Sequence, residues 1–318
     1  MYKIYLDHVS YVYGVGTPFE QTALDDVTVG IRGGCMTGII GHTGSGKSTM
    51  MQMLNGLVTP SAGKVLLDGY DINTRPEDVI DEWSLLPEYR DLSKRKAKKA
   101  IAKEVLQRRR GLCFRVGLVM QYPEYQLFEE TVFKDIAFGP TNMGLDEAQI
   151  RERVLEAARF TEIGTELLDK SPFDLSGGQK RRVALAGVMA MRPEVLVLDE
   201  PAAGLDPRGR DYIFEGIRHY QKTTGSTVLI VSHSMEDMAR FCEDMIVMSE
   251  GKVAMHGKCD EVFSHVERLS EIGLDIPQIT RLAHMLREKG LKLPKDIYTV
   301  SAAVDAIKAL YASGEVSQ

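Results

Sequence analysis

The sequence of 318 residues has few cysteines and no long apolar segment. Cys35, Cys113, Cys242 and Cys259 lie far apart and form no Cys-x-x-Cys pair, which argues against a zinc site and against a disulfide framework. A reducing compartment is therefore expected. No apolar run approaches the roughly 18 residues of a transmembrane span, and the first residues lack the apolar core of a signal peptide. Any role at a membrane is expected to come through a partner.

Positive charge is not in excess either. The formal net charge of -6 argues weakly against nucleic acid as the main partner. Hydrophobic residues make up 44% and charged residues 26% of the chain, as in ordinary globular proteins. The length is sufficient for one large domain or for two.

A glycine-rich loop follows a strand-like run that ends at Ile40, and a helical pattern follows the loop. Its glycines allow backbone N–H groups to turn inward around a phosphate, and the helix adds the positive end of its dipole. Lys47 can reach the β- and γ-phosphates, and the Ser48 hydroxyl can bind Mg²⁺. The alternative is a glycine-rich turn before a core helix. The predicted phosphate-binding residues are Gly41, His42, Thr43, Gly44, Ser45, Gly46, Lys47, Ser48 and Thr49.

Two strand-like runs precede this loop, from Ile4 to Tyr13 and from Ala23 to Ile31, and the turn residues between them predict a hairpin. Tyr13 ends the first run, where its ring could stack on a base. An aromatic side chain on a half-buried strand is the simpler alternative.

The region of residues 76–110 has an unusual charge pattern. Its first part, Glu77 to Asp91, is mostly acidic, whereas Lys94 to Arg110 contains nine basic residues and the single acid Glu104. Apolar side chains at helical spacing predict a helical hairpin that is broken near Leu86-Pro87; they are Ile80, Trp83, Leu86, Ala97, Ile101 and Val105. A solvated basic face on a packed helix is the simpler interpretation, and a nucleic-acid or lipid-headgroup patch is the alternative.

Three later strand-like runs end in polar side chains. The first delivers Gln121, which could contact both Mg²⁺ and an attacking water. The second ends in Asp199, which suits a Mg²⁺ contact, and Glu200, which suits a water-activating base. The third is followed by His233, which places an imidazole at the same sheet edge.

A second nest for anions is predicted where serine and two glycines begin a helix. The residues are Ser176, Gly177, Gly178 and Gln179, and a simple N-capped helix is the alternative.

Taken together and in this order, these motifs resemble the ABC-transporter ATPases over residues 2–265. The segments Tyr122–Phe128 and Phe138–Asn142 are similar to the energy-coupling factor (ECF) ATPases of vitamin and cobalt importers. The segment Phe128–Val132, with intact Asp199 and Glu200, resembles the second of the two ECF ATPase types.

The resemblance implies an α/β fold with a P-loop NTPase (RecA-like) core, an antiparallel β subdomain and a helical subdomain. Residues 1–265 would form the nucleotide-binding domain, with the helical subdomain at about 122–192. Residues 76–110 would be an insertion that the resemblance does not explain. Residues 266–318 would be a helical C-terminal extension that joins two ATPase subunits; helical spacing after Pro277, and a second helix capped by Thr299, support this interpretation.

The resemblance also implies roles at the site. Tyr13 would stack on the adenine of ATP, Gln121 would sense Mg²⁺ and water, and His233 would hold the γ-phosphate. The nest at residues 176–179 would close over ATP bound to the opposite subunit, with Asp206 lining the seam. Ala202 departs from the family pattern, in which a threonine is usual.

The expected activity is ATP hydrolysis that energises uptake of a vitamin or transition metal at the cytoplasmic face of the cell membrane. The implied partners are a second ECF ATPase or a second copy, a transmembrane coupling subunit and a substrate-binding membrane subunit, without nucleic acid. The acidic residues Glu124, Glu129 and Glu130 are predicted to dock the membrane partner. Alternatives are the ATPase of another ABC transporter, or an ABC protein acting on nucleic acid, which would need a longer coiled coil.

Overall fold

The computed structural model describes residues 2–294 and 297–312. Its strands, in chain order, are β1 Tyr2–Tyr13, β2 Gln21–Arg32, β3 Met36–Gly41, β4 Ala62–Leu67, β5 Tyr70–Asp71, β6 Val116–Val119, β7 Val195–Asp199, β8 Thr227–Val231, β9 Asp244–Ser249 and β10 Lys252–Lys258. Its helices are α1 Lys47–Leu54, α2 Pro76–Trp83, α3 Pro87–Arg90, α4 Lys94–Arg115, α5 Val132–Asn142, α6 Glu147–Phe160, α7 Gly177–Met189, α8 Pro207–Thr224, α9 Met235–Phe241, α10 Cys259–Ser264, α11 Val266–Glu271, α12 Gln278–Glu288 and α13 Val300–Ala312.

An antiparallel sheet of order β2-β1-β4-β5 contains the predicted hairpin. The second strand begins at Gln21, two residues earlier than the apolar pattern indicates, because Gln21 pairs with Tyr13 next to the loop that connects the two strands. The inward side chains of this sheet, such as Leu6 and Ile31, are fully buried.

The central sheet has the order β10-β9-β3-β8-β7-β6. Strands β9, β3, β8, β7 and β6 run parallel, and β10 pairs antiparallel with β9. Both faces of this sheet are covered, so β7 and β8 are almost continuous apolar runs, as expected for parallel strands. The carboxyl ends of β3, β6, β7 and β8 meet at one edge, which brings the polar residues that follow them together.

Two apolar cores lie on the two faces of the central sheet. One includes Ile39, Met50 and the buried side chains of the antiparallel sheet. The other includes Ile230, Phe214 and Tyr220, which pack beneath the helices. This arrangement holds the phosphate loop and α1 between the two sheets.

The predicted helical hairpin is confirmed as α2, α3 and α4, with the break at Leu86-Pro87. Leu86 is exposed rather than packed, because it precedes α3 in an extended conformation. Helix α4 extends beyond the predicted basic run to Arg115 and leads directly into β6. Arg115 contacts Glu194 and Asp68, so ion pairs fix the base of the hairpin to the core.

Helices α5, α6 and α7 pack against one another beside β6, within the residues expected to form the helical subdomain. The helices predicted near the C-terminus are confirmed as α12 and α13, and Thr299 Oγ1 accepts a hydrogen bond from Ala302 N at 3.3 Å. They enclose a small core of their own with Ala283 and Ala303. Within residues 2–294 and 297–312, no helix has the length and apolarity needed to cross a membrane.

Candidate nucleotide-binding and catalytic site

One cleft of about 330 Å³ gathers most of the predicted site residues. The phosphate loop forms its floor, the hairpin β1–β2 forms one wall, and the strand ends form the other. Gln21, Ala23 and Val231 also line it and were not predicted; the pairing of Gln21 with Tyr13 across the hairpin is the signal that could have found the first. The predicted residues in the lining are Tyr13, Thr43, Gly44, Gly46, Lys47, Ser48, Thr49, Gln121, Asp199, Glu200 and His233.

The phosphate loop requires glycine at positions where backbone approaches backbone. Gly46 has φ 98°, and a Cβ there would lie 2.5 Å from the carbonyl oxygen of Ala23. A Cβ on Gly41 would lie 2.3 Å from the carbonyl oxygen of Met248. Since Cβ atoms cannot approach this closely, a larger residue at either position would displace the loop. The loop is therefore shaped by steric contacts with two neighbouring strands.

Lys47 begins α1 and points its ammonium group back into the loop. Its Nζ donates to the carbonyl oxygens of Gly41 and His42, each at 2.8 Å. Burial lowers the pKa of Lys47, and the nearby carboxylates Asp199 and Glu200 oppose that shift. The loop thus holds a cation where the terminal phosphates of a nucleotide would lie.

The oxygen atoms beside Lys47 fit a magnesium ion. Ser48 Oγ donates to Asp199 Oδ2 at 3.3 Å, and Gln121 lines the same cleft. Burial raises the pKa of Asp199, and the Ser48 hydroxyl and Lys47 oppose the shift. No group of three or more His, Cys, Asp or Glu side chains able to hold a metal occurs among the described residues. Ser48, Asp199 and Gln121 nevertheless suit Mg²⁺, which commonly takes one or two protein carboxylates and completes its shell with phosphate and water.

Glu200 leaves β7 in a left-handed conformation, with φ 51°. Its backbone N–H donates to the carbonyl oxygen of Val231 at 3.0 Å, which turns the side chain into the cleft. The carboxyl is largely buried and its Oε1 has no hydrogen-bond partner, while His233 Nε2 lies 3.6 Å away. Burial raises the pKa of Glu200, and the His233 imidazole opposes the shift. A carboxylate with an unpaired acceptor atom and a raised pKa can accept a proton from a water molecule.

Tyr13 stands at the outer wall of the cleft with 41% of its surface exposed. Its hydroxyl hydrogen-bonds with Thr49 Oγ1 at 3.2 Å, and its ring contacts the edge of Tyr11 at 4.7 Å between centroids. These contacts hold the ring in place and leave part of it open to the cleft.

The second predicted nest lies outside this cleft. Ser176 caps α7 in a reciprocal pair with Gln179: Ser176 N donates to Gln179 Oε1 at 2.9 Å, and Gln179 N donates to Ser176 Oγ. A side chain at Gly177 would meet no atom within 4 Å, so the surface there is open. Asp206 caps α8, accepting from Gly209 N at 2.7 Å. Within one chain, these residues and Gly178 therefore lie apart from the cleft that contains the phosphate loop.

A buried arginine connects the segments that follow β6 and β7. Arg181 on α7 pairs with Glu124 through two hydrogen bonds of 2.9 and 3.1 Å and donates to the carbonyl oxygen of Ala203. Its guanidinium also lies over the ring of Tyr122. Glu124 was predicted to be a docking carboxylate, but this pairing makes it an internal structural residue. Glu129 is partly buried, whereas Glu130 is exposed and pairs with Lys134.

Comparison with known proteins defines the class. A family model described as ABC transporter matches residues 24–203. The fold is similar to that of cbiO1 from Clostridium perfringens, with a TM-score of 0.66 and 36% identity over 90% of this chain and 99% of that one. It is also similar to a dimeric ATP-binding cassette bound to ADP and Pi, with a TM-score of 0.62 and 26% identity over 80% and 98% of the two chains. The fold and the family match are those of an ABC transporter ATPase.

Curated relatives narrow the class further. The chain is 48% identical to the energy-coupling factor transporter ATP-binding protein EcfA2 of Caldanaerobacter subterraneus subsp. tengcongensis, over 96% of both chains. It is 46% identical to the protein of that name from Clostridium acetobutylicum, over 94% of this chain and 95% of the relative. The chain belongs to the family of ECF transporter ATP-binding proteins, and the expected second ATPase type is confirmed. It is an ATPase subunit of an ECF-type importer.

Proposed function

We propose that the chain hydrolyses ATP as a magnesium complex in this cleft, within an ATPase dimer that drives uptake of a vitamin or transition-metal micronutrient. The observation that carries the proposal is the convergence of Lys47, Ser48, Asp199 and Glu200 on one cleft beside Tyr13. These residues supply a phosphate-binding cation, oxygen ligands, a base and an aromatic face in the order that a bound nucleotide needs.

The residues have separate tasks in this proposal. Ser48, Asp199 and Gln121 would hold the Mg²⁺ ion, which neutralises charge on the phosphates when bound. Lys47 and the loop N–H groups bind the phosphate oxygens, and Tyr13 positions the adenine. Glu200 accepts the proton of the attacking water, because its carboxyl lines the cleft and its buried Oε1 has no hydrogen-bond partner.

The second half of each site is proposed to come from another ATPase subunit. The helix nest at residues 176–179 and the Asp206 turn lie outside their own chain's cleft, and both are open at the surface. Closing two such chains on each other would bury two nucleotides between them. The partner is a related second ECF ATPase, and a second copy of this chain is the alternative.

The C-terminal extension is proposed to strengthen this pairing. Leu282 and Met285 on α12, together with Val304 on α13, are exposed although they are apolar. An isolated subunit gains nothing from exposing these side chains, whereas a second ATPase could cover them. Truncation after about residue 265 should therefore weaken pairing and leave the nucleotide cleft intact.

Coupling to the membrane subunits is proposed to occur at a groove between α5 and α6. The groove has a volume of about 640 Å³ and is lined by Glu129, Phe133, Phe138 and Arg151, among others. Mixed apolar and charged side chains suit an amphipathic helix of a transmembrane coupling subunit. The relative cbiO1 is described as part of the ABC transporter complex cbiONQ. By this analogy the chain lies at the cytoplasmic face of the cell membrane, with a coupling subunit and a substrate-binding subunit.

Purification of the native complex from membranes tests this proposal. Mass measurement should find two ATPase masses together with the two membrane subunits. A complex with two copies of this chain and no second ATPase would establish the homodimer instead. Recovery of the chain without any membrane subunit, under conditions that preserve other transporters, would contradict the coupling.

A further inference from the structure

The charged hairpin, residues 76–115, is a folded element that has no role in the proposed ATP hydrolysis. It has its own small core, in which Ala97, Ile101 and Val105 of α4 are buried against Tyr89 and the partly buried Trp83. None of its residues lines the nucleotide cleft. Because the core fixes the rotation of α4, the opposite side of that helix is a defined surface.

That outer side carries a stripe of cations. A helix repeats every 3.6 residues, so positions 95, 99, 103 and 110 face away from the buried side chains. We name Arg95, Lys99, Lys103 and Arg110 the basic stripe; all four are exposed. The stripe is about 22 Å long at 1.5 Å per residue. Within the part of the chain that the structure describes, none of the four has an acidic partner, whereas Arg108 on the same helix pairs with Glu104.

Exposed leucines accompany the stripe. Leu106 lies within it and is 47% exposed. Leu85 and Leu92 lie in the connection that precedes α4 and are 77% and 40% exposed. Solvated charged helices have no need of exposed leucines, and a polar rim around apolar residues marks an interaction site. Apart from Glu104, which pairs with Arg108, the acidic residues of the hairpin lie before α4, so they leave its outer side basic.

We propose that this outer side of α4, with the exposed Leu106 on it, docks on the anionic phospholipid surface of a membrane. Lysine and arginine bind anionic headgroups, and leucines can enter the boundary between headgroups and acyl chains. Nucleic acid fits less well, because surfaces for single strands combine cations with exposed aromatics. Here Trp83 and Tyr89 pack inward. The contact is direct and does not depend on the proposed membrane subunits.

Vesicle sedimentation of the purified full chain tests the proposal. The chain should bind vesicles of phosphatidylcholine mixed with phosphatidylglycerol, and not vesicles of phosphatidylcholine alone. Binding should weaken with salt, because the screening length falls from about 10 Å at 0.1 M to about 3 Å at 1 M. The triple variant Lys99→Gln, Lys103→Gln and Arg110→Gln should lose at least about 20-fold in affinity, since each cation near the surface contributes roughly fivefold.

A matched control has the same change in charge on another side of the helix. The triple variant Lys94→Gln, Lys98→Gln and Arg109→Gln lies nearer the buried side and should lose less than about fivefold by the same scale. Both triples should keep the ATP affinity of the wild type, which shows that the fold is intact.

Three outcomes would overturn the proposal. Equal binding to neutral and anionic vesicles would remove the role of charge. Equal losses of vesicle affinity in the two triple variants would show that the positive charge of α4 acts without a preferred side of the helix. Displacement of bound chain from anionic vesicles by single-stranded RNA at equal phosphate concentration would assign the stripe to nucleic acid.

Discussion

The ion pair between Arg181 and Glu124 is expected to contribute more to stability than any exposed pair of the helical subdomain. The Arg181 side chain is 5% exposed and that of Glu124 is 17% exposed, so both charges are removed from water. Removing one partner of a buried pair costs about 3–5 kcal/mol, because the other charge is left without compensation. Arg181→Met should approach this range, since it also leaves the carbonyl of Ala203 without its donor.

A pair nearby supplies the control. Arg192 and Glu156 join α6 to the end of α7 at 2.6 Å, but their side chains are 33% and 27% exposed. Arg192→Met should therefore cost about 1 kcal/mol or less. The assay is urea unfolding followed by circular dichroism, with equal m-values showing that both variants expose the same surface.

A double-mutant cycle then isolates the pair. Arg181→Met and Glu124→Gln should cost less together than the sum of the single changes, by about 1–3 kcal/mol. Equal costs for Arg181→Met and Arg192→Met, with no coupling in the cycle, would show that the pair of Arg181 and Glu124 does not act as a buried ion pair. Glu124 would then be free to act as a docking carboxylate, as the sequence suggested.

Three further predictions concern the cleft and the predicted docking carboxylates Glu129 and Glu130. Tyr13→Ala should weaken ATP binding, measured by titration with a fluorescent nucleotide, by an amount on the scale of 1–3 kcal/mol known for base stacking, roughly 5- to 150-fold; Tyr13→Phe keeps the ring and should bind like the wild type. Reversing Glu129 and Glu130 to lysine should uncouple assembly with the membrane subunits from ATP binding, and an intact transporting complex would count against that role. Burial raises the pKa of Glu200 above its ordinary value, so its charge lowers stability at neutral pH. Glu200→Gln should therefore raise the free energy of unfolding at pH 7, with a gain that shrinks as pH falls through the raised pKa and vanishes below the ordinary value of 4.5.

Local chemistry explains which parts were predictable from the sequence. The phosphate loop follows from glycine positions and the strand before it, and parallel strands bring Gln121, Asp199 and His233 to one edge. The charged hairpin follows from apolar spacing, although Leu86 left that pattern at the break. Each motif is formed by residues close together in the chain, and the shared edge of parallel strands brings the separate motifs together.

Contacts between distant segments could not be predicted in the same way. Glu124 and Arg181 are 57 residues apart, and the sequence around each of them does not show whether the charge forms an internal ion pair or docks a partner. The left-handed conformation of Glu200 is also invisible in the sequence, because it depends on the hydrogen bond to Val231 in a neighbouring strand. Predicting such features requires knowledge of which strands are neighbours and of their register.

Glu200 is the proposed general base, and single-turnover hydrolysis by Glu200→Gln in the assembled complex tests this role. The variant keeps Lys47 and the phosphate loop, so it should bind ATP with the affinity of the wild type. Hydrolysis should fall by about 10²–10⁴-fold, the usual effect of removing a general base. Bound ATP should then remain intact between the subunits. Hydrolysis at the wild-type rate by a correctly assembled variant would show that Glu200 is not the general base.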